Sequence, residues 1–107
     1  MRKAKQERLV NAGYKITDAQ EFLNLSDEEI SVIDLKISLI QKLKEVRATA
    51  GITQKQLAKL MKSSQSRVAM LEGGSPDVSL ELVCRALFAL GLSSRDLGRT
   101  ISAVKAA

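Results

Sequence analysis

The chain has 107 residues, 45% of them apolar but only 3% aromatic, and carries a net charge of +5 with a pI near 9.6. That length allows one packed core and no second, and a core of Leu, Ile, Val, Ala and Met suits packed helices better than sheets. A single cysteine, Cys84, and no histidine exclude an internal disulfide framework and a Cys/His metal site.

Residues 1–16 hold a net charge of +4. No apolar run follows them, so they read as a basic arm and not as a secretory signal. Thr17-Asp18-Ala19-Gln20 has the capping-box form and predicts a short helix through Phe22 and Leu23. Ser26-Asp27-Glu28-Glu29 is a second box, whose acids suit the positive end of a helix dipole.

From residue 27 to residue 50 there is neither Gly nor Pro. This predicts one helix of roughly 36 Å at about 1.5 Å per residue, stopped by Gly51 in a left-handed C′ position. Two apolar stripes run along it. Val32, Leu35, Leu39, Leu43 and Val46 make one, and Ile30, Ile33, Ile37 and Ile40 the other. A surface helix needs only one such stripe. The isoleucines are therefore expected to meet either a second copy of the chain or the short helix at Phe22.

Thr53 and Gln56 form a third box that opens a helix to Met61, and Ser64 caps a helix to about Leu71. Gly73-Gly74-Ser75-Pro76 is a loop. Ser79 caps a helix over 80–90, with Leu80, Val83, Leu87 and Leu90 at helical spacing and Gly91 at its end. Ser93 starts a last helix that fades over 103–107. The expected fold is all-α: a single domain of five helices, with an N-terminal extension over 1–35 and a helix-turn-helix domain over 36–107. The extension comprises the basic arm, the short helix and the start of the long helix. No run is apolar enough to span a bilayer, and a cytoplasmic location is expected.

Residues 52–74 read ITQKQLAKLMKSSQSRVAMLEGG. Leu57, Ala58 and Met61 give the first helix an inward face, and Val68 and Leu71 give one to the second. A turn of about three residues makes the two helices cross at a large angle. Gln65, Ser66, Arg67 and Met70 then face outward, and such hydrogen-bonding and flexible side chains suit base edges and phosphates in a major groove. Residues 36–71 carry a net charge of +7, the excess that a phosphate-facing surface needs.

This segment resembles the helix-turn-helix of XRE-type, phage repressor and Cro-like DNA-binding proteins in Thr53-Gln54, Leu57-Ala58, Ser64-Gln65, Val68 and Glu72-x-Gly74. Lys62 departs from the family, which often has Gly there. The resemblance implies a lambda-repressor-like fold and binding to double-stranded DNA. It places Gln54 on a phosphate, Gln65, Ser66 and Met70 at base edges, and Ser64 and Arg67 at phosphates or flanking bases. Gln can pair with adenine, and Met can meet a thymine methyl. The same resemblance pairs Arg47 with Glu72 as a structural brace. Because one short helix reads only a few base pairs, the expected form is a homodimer on an inverted-repeat operator. The isoleucine stripe and the outer face of helix 80–90, with Leu82 and Phe88, are the candidate contacts.

No catalytic residue, metal site or cofactor is expected, since no His, nucleophile–base pairing or phosphate-cradling loop is present. The arrangement ahead of the motif is also similar to HigA-like antitoxins. A small basic toxin of the RelE/HigB type is then a candidate partner for the six acids of residues 17–35. A stand-alone repressor, and an interaction module that no longer binds DNA, are the alternative readings.

Overall fold

The computed structural model describes residues 24–75 and 77–103. Over these residues it is all-helical: α1 Asp27–Ala50, α2 Gln54–Met61, α3 Gln65–Glu72, α4 Leu80–Ala89 and α5 Ser94–Ser102. The basic arm and the short helix expected at Phe22 lie outside the described residues.

Local chemistry explains each boundary. Ser26 Oγ accepts from the Glu29 N–H, and the Glu29 carboxylate accepts from the Ser26 N–H, both at 3.1 Å. Thr53 with Gln56, and Ser93 with Asp96, close equivalent boxes on α2 and α5. At the other end of α1, Gly51 adopts φ 70°, its N–H reaching Ala48 O while the Ile52 N–H reaches Arg47 O. That paired return to the last turn needs a left-handed residue, which glycine supplies without a Cβ penalty.

α1 is the spine, packing against α3, α4 and α5, while α2 packs against α3 and α4. The core joins Ile30, Ile37, Leu39, Ile40 and Leu43 of α1 to Leu57 and Ala58, Val68 and Leu71, Val83, Ala86 and Leu87, and Leu97. This corrects the expectation that the isoleucine stripe forms a dimer contact. Ile30, Ile37 and Ile40 are buried within the chain and Ile33 packs partly against the core, because helices cover α1 on more than one side. Leu82 likewise packs partly against the core.

Two charged residues of α1 are also inside. Lys36 is 8% exposed and its ammonium donates to the Val78 carbonyl at 2.8 Å, fastening the segment before α4 onto the spine. Lys36 therefore adds nothing to the exposed positive charge around the helix-turn-helix. Asp34 is 5% exposed, so it is no part of an acidic outer surface. Position 36 lies three residues after Ile33 and four before Ile40, on the buried stripe itself, and a lysine there signals an internal acceptor.

Candidate nucleic-acid interface

The turn between α2 and α3 is built on Lys62, the one non-glycine residue with positive φ among the described residues, at φ 55° and ψ 46°. Its N–H returns to Lys59 O at 3.1 Å and the Ser63 N–H to Ala58 O at 2.8 Å. The chain thus changes direction within three residues, and Ser64 opens α3 by accepting from the Arg67 N–H at 3.2 Å. That bond uses the Ser64 oxygen as acceptor and leaves its O–H able to donate.

α3 divides cleanly. Val68, Leu71 and Glu72 are buried, while Gln65, Ser66, Arg67, Ala69 and Met70 are exposed, Met70 at 53%. A methionine held that far into solvent on a helix packed from behind has no core role. The helix ends through Gly74, at φ 74°, whose N–H reaches Leu71 O at 3.2 Å. A Cβ there would stand 3.5 Å from Ile37 Cδ1, so the left-handed backbone and not space demands glycine.

Behind α3 lies a polar clamp. Arg47 holds Glu72 through two bonds, Nε to Oε2 at 2.6 Å and Nη2 to Oε1 at 2.8 Å, and also donates to Ile52 O at 2.9 Å. Gln54 Nε2 donates to Glu72 Oε1 at 3.0 Å. One carboxylate thereby joins the end of α1, the start of α2 and the end of α3. Burial by itself would raise the Glu72 pKa, but the hydrogen bonds of Arg47 and Gln54 and the charges of Arg47 and Lys44 outweigh it and hold the carboxyl below its ordinary value. The Glu72 hydrogen bond in turn raises the Arg47 guanidinium.

The structure therefore brings Gln65, Ser66, Arg67 and Met70 onto one exposed surface with Ser64 at its edge. Gln54 is half-buried and turned toward Glu72. Lys55, Lys59 and Lys62 are exposed around the motif and Lys44 is exposed on α1. Sequence reasoning had assigned no outward role to Ala69 and had not joined Gln54 to Glu72. The four-residue spacing from Gln65 was the available signal for Ala69. Among the described residues no cluster of acids, Cys or His could hold a metal ion, and no helix is long and apolar enough to cross a membrane.

The helix-turn-helix domain family matches residues 39–100, which contain every one of these side chains. An uncharacterized HTH-type transcriptional regulator of Haemophilus influenzae is 36% identical over 66 residues, covering 62% of this chain and 67% of that protein. No solved structure matches.

Proposed function

The chain belongs to the helix-turn-helix domain family, and from that premise we propose that it is a transcriptional regulator of XRE type that represses from an inverted-repeat operator. The observation that carries this reading is the division of α3. A rigidly clamped inner side of Val68, Leu71 and Glu72 presents Gln65, Ser66, Arg67 and Met70 to solvent. Such a helix fits a major groove, with Gln65, Ser66 and Met70 against base edges and Ser64 and Arg67 against the backbone.

Gln54 has a double role in this reading. An amide nitrogen carries two N–H groups; one holds Glu72, and the other reaches a phosphate. The DNA contact and the brace then share one side chain, and phosphate binding is coupled to the orientation of α3.

The protein acts as a homodimer, since two recognition helices about 34 Å apart read one face of the duplex. With the isoleucines buried, the contact falls to the outer side of α4. Its support is Phe88, 46% exposed, beside Leu60, 54% exposed, in an open depression of about 420 Å³.

Selection of bound sequences from a random duplex pool tests the proposal. The expected result is an enriched inverted repeat, with Gln65→Ala losing preference at one base of each half-site. A pool that shows no enrichment sinks the proposal.

A further inference from the structure

At about 100° per residue, Ser66, Ala69, Met70 and Gly73 occupy the side of α3 opposite Val68, Leu71 and Glu72. Gln65 and Arg67 stand at its two borders. All four central residues are exposed, and none carries a charge. Gly73 and Ala69 are too small to hold a partner at a distance, so the centre of the face can come close to whatever it meets. Its one long side chain is the apolar Met70, 53% exposed.

That composition selects among base edges. In the major groove guanine is read chiefly by a cation forked onto O6 and N7, and the one cation of α3, Arg67, lies at the border. An apolar centre instead matches the C5 methyl of thymine, the single apolar group that the four base pairs present there. Gln65 at the other border supplies the donor–acceptor pair that adenine accepts. We infer that the half-site is A·T-centred, with a thymine C5 methyl seated against Ala69 and Met70; the inference rests on the DNA-binding reading above. It makes Ala69 a specificity-determining residue through its small size and places a sequence preference where no charge acts.

The test uses the full chain and a duplex carrying its selected half-sites, each thymine replaced in turn by deoxyuridine. This removes the methyl and leaves the hydrogen-bonding edge intact. At one thymine per half-site the affinity should fall about fourfold, the worth of one apolar carbon at about 0.8 kcal/mol. Met70→Ala should abolish that penalty and Met70→Leu should retain it, with melting midpoints confirming that both variants fold. Selective binding indifferent to every deoxyuridine, or a penalty unchanged in Met70→Ala, would overturn the inference and leave the regulator reading standing. Absence of any selective binding would overturn both.

Discussion

The Gln54 amide donates to Glu72 Oε1 at 3.0 Å, so the first residue of α2 is tied to the last residue of α3. Arg47 grips the same carboxylate from α1 with two bonds. The angle of α3 is thus held by one acceptor group serving three helices. Glu72 is nearly enclosed, its side chain 4% exposed, and removal of one member of such a pair strands the other's charge. Glu72→Ala should destabilise the fold by about 3 kcal/mol, read from the urea midpoint. An unchanged midpoint would contradict the clamp.

The same carboxyl sets an acid limit. Its folded pKa lies below the unfolded value of about 4.3, so its contribution is fully present above that pH and is lost as pH falls through the folded pKa. Stability should decline as pH falls below about 5. Glu72→Gln should flatten that decline, leaving a shallower slope to which Asp96 contributes, its carboxyl lowered by hydrogen bonds from the Ser93 backbone and hydroxyl. Urea midpoints across that range for both proteins are the measurement.

Lys62 occupies a conformation that glycine adopts more readily. Its exposed side chain makes no ion pair among the described residues. Lys62→Gly should therefore stabilise the protein by about 1 kcal/mol. The selected DNA sequence should not change, because the substitution touches neither the outward face of α3 nor the clamp.

The buried Lys36 ammonium satisfies the Val78 carbonyl at 2.8 Å. Burial lowers its pKa against the opposing charge of Asp77, and the hydrogen bond offsets part of that cost. Lys36→Met fills similar space but leaves the carbonyl without its donor, which should cost about 2 kcal/mol. Amide hydrogen exchange should rise first over residues 77–79.

Phe88 tests the subunit contact. A carboxylate placed in an apolar interface is strongly unfavourable, so Phe88→Asp should sediment as a monomer at concentrations where the parent chain is a dimer. Its melting midpoint should lie close to that of the parent chain diluted to its monomer, because Phe88 is 46% exposed in the single chain. A parent chain that sediments as a monomer at tens of micromolar would itself refute the dimer.

Much of this architecture is written locally. The limits of α1 to α5 follow from hydroxyls and carboxyls that reach three residues along the chain, as at Ser26–Glu29 and Thr53–Gln56. They follow equally from Gly51 and Gly91 at left-handed positions. Such contacts form wherever the residues stand together in sequence, so the helix limits are legible before any tertiary packing is known. The inner and outer sides of the helix-turn-helix were legible for the same reason, through helical periodicity.

Which of the remaining faces are covered depends on how the helices pack. The Ile30, Ile37 and Ile40 stripe is equally apolar whether a second chain or the chain's own helices bury it, and in this fold the core does so. Lys36 counted as surface charge until a carbonyl 42 residues away proved to be its partner. Gln54 and Glu72, 18 residues apart, meet because α2 and α3 pack together behind the turn. Local rules end within about one helical turn; beyond it, a side chain's partner depends on how whole helices pack, and no single stretch of sequence specifies that.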